Sequence, residues 1–282
     1  MNHTTAAVNG GREGRVIQNL SVQDRFIPYY VRSPQAAQNF YEDLLDLTDA
    51  EVWLRSRATG EFANLNLLHL VLAAYVRTVA VMPGINRYVS GGKLYARNGI
   101  TVVISAAKNE SDRRSARFVK VDFTPNDTIY DVYRKVGAAV QQLKAGSSLA
   151  TAAPFPESLL RMPRPIIHFA FWCLRKLDEY GRLPVKYRDC SPYHGSLLIS
   201  SLAAHGVRPT YMSLGDFGHL PMSLSISTNT MGDRRALSFR VVYDSRVADV
   251  YYFTEAFKYF KQVLSNPALL EQGPETVFED IF

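Results

Sequence analysis

The chain has 282 residues, 47% hydrophobic and 21% charged, enough for a packed core in one large domain or two small ones. Its net charge of +6 reads first as a merely basic surface and second as suited to an anionic ligand, and with no dense Lys/Arg block and no zinc-finger spacing nucleic acid is not an expected partner. The cysteines, Cys173 and Cys190, fall outside any Cys-x-x-Cys pattern, which excludes a disulfide framework and points to a reducing cytoplasm. The N-terminus lacks a signal-peptide core, and no apolar run reaches the ~20 residues of a bilayer span.

In chain order, residues 1–20 read as a disordered tail, small and polar with Gly10, Gly11 and Gly14. The stretch Phe26-Ile27-Pro28-Tyr29-Tyr30 reads as an arm laid over another surface. Residues 39–47 read as a strand, followed by a helix capped by Thr48, with Glu51 in the capping-box position. Residues 66–82 carry Leu68, Val71, Leu72, Tyr75, Val76 and Val79 on one stripe and predict a helix stopped by Pro83 and Gly84. A hairpin turning at Ser90-Gly91-Gly92 follows, then strands over 100–107 and 118–123, and a helix over 129–144 capped by Asp127 or Thr128. Residues 145–156 read as a loop.

Residues 166–180 predict an unusually apolar helix, with Phe169, Phe171 and Trp172 between basic flanks. Such a helix lies in a membrane interface or is buried in the core or between subunits, and burial is the expectation. Strands over 197–202, 223–227 and 237–243 and a last amphipathic helix over 253–264 complete the pattern. Strands and helices alternate irregularly without a repeat, which suits one mixed α/β domain over 21–272. Residues 273–282, apolar groups among acids, read as a tail that docks.

The stretch Arg240-Val241-Val242-Tyr243-Asp244-Ser245-Arg246-Val247-Ala248-Asp249-Val250 resembles the signature that ends the acyltransferase domain of 2-oxo acid dehydrogenase complexes, shared with chloramphenicol acetyltransferase. Asp244, Arg246, Val247 and Asp249 fall in that frame, but Ser245 stands where the family has its His and Val250 where it has Gly. Asp46-Leu47-Thr48, Pro83-Gly84-Ile85-Asn86, Gly91-Gly92-Lys93-Leu94, Gly195-Ser196-Leu197-Leu198-Ile199-Ser200-Ser201-Leu202 and Asn266-Pro267-x-x-Leu270 follow in the family's order. The resemblance implies a chloramphenicol-acetyltransferase-like α/β (α+β) sandwich, a mixed sheet flanked by helices. It implies a homotrimer with sites across subunit faces, and coenzyme A as acyl donor without a metal. A stand-alone form is expected, with no lipoyl or subunit-binding domain ahead of it and no membrane contact.

The family's reaction needs a base, the His of one subunit, and a Ser from the neighbouring subunit that donates to the tetrahedral oxyanion. The resemblance places Ser200 at the oxyanion position, against the equal alternative of a serine that only fills its place in a strand. At the base position it places Ser245, whose neutral hydroxyl does not accept a proton near pH 7. Losing a general base costs about 10²–10⁴-fold in rate. Val250 predicts a rebuilt turn wherever the family's Gly needs a positive φ. Asp249, the family's structural Asp held by an ion pair, is expected to hold structure, as are Asp244 and Arg246.

Alternative bases are His194, His205 and His219, each weighed against a solvated or capping role. His194 reads as lying on the strand of Ser200, six residues back or ~20 Å along it, so the two would meet only between subunits. His205 and His219 stand beside Gly206 and Gly218 in loops that would border the channel, while His69 and His168 read as core or interface residues. No pair has a metal spacing such as His-x-x-x-His. Two functions stay open: a coenzyme-A-dependent acyltransferase with a relocated base, and a catalytically degenerate scaffold or binding protein.

Overall fold

Alternation of apolar and polar residues builds a six-stranded sheet whose two faces are covered differently. The computed structural model describes residues 13–107, 116–144, 161–202, 207–231 and 234–280. Its strands are β1 (Gly14–Val16), β2 (Gln38–Asp46), β3 (Arg87–Ser90), β4 (Lys93–Arg97), β5 (Ile100–Ala107), β6 (Ala116–Phe123), β7 (Leu197–Ser201), β8 (Met222–Met231) and β9 (Arg234–Asp244). Its helices are α1 (Val22–Tyr30), α2 (Thr48–Arg57), α3 (Leu67–Val81), α4 (Ile129–Lys144), α5 (Arg164–Glu179), α6 (Val185–Cys190) and α7 (Val250–Ser265). The large sheet has the order β2-β9-β8-β7-β5-β6, parallel only where β7 meets β5 and β8. A small antiparallel sheet, β1-β4-β3, stands apart.

Val102 and Ile104 of β5, Leu197 and Ile199 of β7, and Phe239 and Val241 of β9 point to one face, where they meet α3, α4 and α7 in the main core. The intervening Val103, Leu198 and Val242 point to the other, against Leu214 and Leu220. This is the period-2 pattern of a sheet buried on both faces. The second face is polar at β8: Ser223 Oγ donates to the Met212 carbonyl at 2.6 Å, and Ser227 Oγ to that of Val207 at 2.7 Å. These hydroxyls stitch the segment before β8 to the sheet. No helix among the described residues is long and apolar enough to cross a membrane.

The N-terminal segment departs from the sequence expectation. Residues 14–16 form β1 on β4 rather than a disordered tail, while residues 1–12 lie outside the described residues. The aromatic arm is helix α1, because Ser21 accepts a hydrogen bond from the Asp24 N–H and caps it; Pro28 sits near its end. Helix α2 is capped from Asp46 instead of Thr48: the Asp46 carboxylate accepts from both the N–H and the hydroxyl of Thr48. The loop expected at 145–156 lies outside the described residues.

Candidate functional site

The motif at the end of β9 is a structural splice. Arg246 and Asp244, each with a side chain 4% exposed, form an ion pair at 2.6 Å. The same guanidinium donates to the carbonyls of Val31 and Arg32 after α1. Ser245 is turned the same way: both its N–H, at 2.9 Å, and its Oγ, at 3.0 Å, donate to the Ala37 carbonyl. Among the described residues Asp249 forms no ion pair of the expected kind; its carboxylate accepts the Tyr252 N–H at 2.7 Å and caps α7. Val250 is the first residue of that helix, where the right-handed backbone suits a β-branched side chain.

The titratable groups gather elsewhere. Asp178 ends up buried at the close of α5, where Gly91 of the β3–β4 turn packs on the helix end. At Gly91, φ is +55° and a Cβ would lie 3.0 Å from the Glu179 carbonyl oxygen, so only glycine fits comfortably. His194 precedes β7 instead of lying on it, and the Lys120 ammonium donates to its carbonyl at 2.7 Å. Burial brings that lysine's pKa down to about 8. His219 is placed by Gly218, whose φ of +110° lets the loop press on Tyr193; the His219 N–H donates to the Tyr193 carbonyl at 3.0 Å.

These three anchors bring Asp178, His194 and His219 together. His194 Nε2 is 3.2 Å from each carboxylate oxygen of Asp178, and His219 Nε2 is 3.4 Å from Oδ1. The rings of His194 and His219 meet edge to face at 4.9 Å, and His219 stacks on Tyr88, over which Arg97 lies at 4.5 Å. Glu13 completes the surroundings, paired with Arg97 at 2.5 Å and Arg188 at 3.3 Å. Burial would raise the Glu13 pKa, but the charge and hydrogen bond of Arg97 outweigh it and hold the carboxyl at about 2. Burial takes His219 the other way, to about 4 against the pull of Asp178, so its imidazole is neutral at pH 7.

Asp178 and His219 form part of the wall of a cavity of about 530 Å³. Arg32, Arg175 and Arg246 also line it, so the splice and the cluster face the same space. Of the expected site residues, His194 and His219 are united and His205 lies outside the described residues. Ser200 is half-buried on β7, in register with Ser105 and Ser225, and is not part of this cavity wall. Sequence reasoning missed Asp178 and Glu13. The one available signal was the Gly218-His219 pair, since no spacing joins residues brought together only by the fold.

No known family matches the chain by sequence, and no curated protein does. Solved structures do match by fold. A probable dihydrolipoamide acetyltransferase from Listeria monocytogenes 4b F2365 aligns with a TM-score of 0.54 at 12% identity, over 90% of this chain and 96% of that one. A chloramphenicol acetyltransferase aligns at 0.55 and 14% identity, over 89% and 99%. The dihydrolipoamide acetyltransferase of Azotobacter vinelandii, in which a serine, a histidine and an asparagine have been tested for roles in catalysis, aligns at 0.50 and 13%, over 88% of each chain. The chain therefore has the fold of acyltransferase catalytic cores and of chloramphenicol acetyltransferase.

Proposed function

We propose that this protein binds an acyl-coenzyme-A-class ligand in the 530 Å³ cavity and transfers its acyl group, with the Asp178–His194–His219 cluster standing in for the base absent at Ser245. One observation carries the reading: the cluster and the Arg246 end of the motif line one cavity. The chemistry's proton acceptor has thus moved from the motif to the neighbouring loop. Arg32 and Arg175 on the same wall suit the phosphates of such a ligand. Ser200, delivered by a neighbouring copy of a homotrimer, fills the role of oxyanion donor. The test is turnover of acetyl-coenzyme A against a panel of thiol and hydroxyl acceptors. His219→Ala is expected to lower kcat/KM by about 10²-fold or more. Ser245→Ala is expected to change it little, because that hydroxyl is committed to Ala37. Equal activity in parent and His219→Ala would end the assignment.

A second reading is favoured by the engagement of Ser245 itself. Both of its donors are spent on one backbone carbonyl, as in a position kept for structure. On that reading the chain is a degenerate oligomeric scaffold or binding protein. Calorimetry distinguishes the two: saturable coenzyme A binding supports transfer, and no binding to an intact oligomer supports the scaffold. Ser245→His then reports how far the site has drifted, since restored transfer would mean that only the base was lost.

A further inference from the structure

Hydrogen bonding alone does not require the arrangement of Asp178, His194 and His219. Two imidazoles converge through their Nε2 atoms on a single carboxylate, at 3.2, 3.2 and 3.4 Å. One ligand atom from each residue lies within 4.8 Å of the others. Zinc takes imidazole nitrogen and carboxylate oxygen at about 2.0–2.2 Å, almost always tetrahedrally, so atoms sharing one ion stand about 3.3–3.6 Å apart. An octahedral ion with ligands at about 2.1 Å would draw neighbouring ligands to about 3.0 Å. The distances to Asp178 approach the tetrahedral edge.

The cluster is also held in place before any ion arrives. Its members come from the end of α5, the turn before β7 and the loop before β8. Each is fixed by its own contact: Gly91 against Glu179, Lys120 on the His194 carbonyl, and Gly218 against Tyr193. His194 is buried to 1% exposure, and the His219 side chain is 10% exposed. Glu13 pairs with both Arg97 and Arg188 and offsets part of the positive charge near the cluster, and Asp178 adds a carboxylate within it. Asp178 and His219 border the cavity, while His194 lies behind them and is not part of its wall. Three protein ligands with a fourth direction open to a cavity is the form of a catalytic zinc site; structural sites are closed by four.

We propose that Asp178, His194 and His219 bind one zinc-class divalent ion whose open position faces the cavity. That position would take a thiolate, a carbonyl oxygen or water. The proposal rests on the acyl-transfer reading for the identity of the cavity's ligand and changes the cluster's part in it: with an ion bound, His194 and His219 are ligands, and deprotonation of a thiol or water at the open position would replace the imidazole as the means of activating the acceptor.

The experiment uses the full chain without an affinity tag, dialysed against a chelator and then titrated with Zn²⁺ by calorimetry and with Co²⁺ by visible absorbance. One ion per chain is expected at micromolar affinity or tighter, with the intense d–d bands of four-coordinate Co²⁺. His219→Gln and Asp178→Asn should each weaken binding by about 100-fold, and His168→Gln, on the exposed side of α5, should leave it unchanged. No saturable binding, a six-coordinate Co²⁺ spectrum, or affinity unaltered in folded cluster variants would overturn the site. Should the variants not fold, the parent's stoichiometry and Co²⁺ spectrum decide. Zinc binding without turnover would remove the transfer reading and leave the ion site standing; turnover in a chain that binds no zinc would do the reverse.

Discussion

Two ion pairs near the motif differ in what surrounds them, and that difference sets what each contributes. Arg246 and Asp244 are both out of solvent, and the guanidinium also answers two backbone carbonyls. Removing one partner leaves the other buried and uncompensated, which typically costs about 3–5 kcal/mol. Arg240 and Glu42, at 2.9 Å, have side chains 31% and 60% exposed, and such pairs contribute at most about 1 kcal/mol. Urea denaturation at pH 7 should therefore show Arg246→Ala destabilised by about 3 kcal/mol or more. Arg240→Ala should lose about 1 kcal/mol or less. Equal losses would mean that the motif pair is not the splice described here. The same contrast explains Ser245: a residue with both donors on Ala37 positions the α1–β2 connection against the end of β9, and a proton acceptor is not required there.

At the scale of elements, α3 shows how a helix terminus can make stability depend on pH. Asn66 accepts the Leu68 N–H, and His69 Nδ1 accepts the Asn66 N–H at 3.2 Å, closing a reciprocal cap. Burial holds the His69 pKa at about 4, below its usual 6.5, because protonation would place a charge in the core and turn the cap's acceptor into a donor. The unfolded chain takes up the proton first, so this contribution is complete above pH 6.5 and is lost as pH falls toward 4. The full effect is on the order of 3 kcal/mol. His219 titrates in the same window, so the readout is the difference between the parent and His69→Gln, measured by denaturant from pH 7 to 4. The parent's advantage should shrink as the solution is acidified; a constant gap would show that the cap does not depend on the neutral ring.

The helix itself was legible beforehand, because its apolar stripe and the Pro83-Gly84 stop are local signals. So were β5, the hairpin with its two glycines, and the order of pieces that resembles the acyltransferase fold. Helix α1 was not, since its aromatic, proline-bearing sequence has no clean stripe and only Ser21 marks its start. Strand β1 was hidden for a similar reason: three residues with no pattern of their own are ordered by pairing with β4. The cluster at Asp178 was illegible on principle, because its members are drawn from three separate elements and meet only after those elements pack.

For the whole molecule, what stays uncovered matters as much as the core. Helix α5 turns Phe169 and Trp172, stacked at 5.9 Å and 65% and 54% exposed, away from its own chain. Helix α1 does the same with Phe26 and Tyr30, and the edge strand β2 leaves Phe40 and Leu44 exposed. Apolar patches of this kind are rarely left in water by a monomer, and an edge strand adds unpaired backbone groups. The homotrimer proposed above would cover them and would bring Ser200 of one copy toward the cavity of another. Light scattering should then give three times the 31.7 kDa chain mass. Phe169→Glu combined with Trp172→Glu places two charges in the contact, where like charges cannot be desolvated cheaply. That variant should run as a monomer with an unchanged far-UV spectrum and should lose turnover, because a site shared across a face cannot form in one copy. A trimer that survives both charges would place the contact on α1 and β2 instead. A parent chain that is monomeric at micromolar concentration would leave Ser200 with no route to the cavity, and the transfer reading would lose its oxyanion donor.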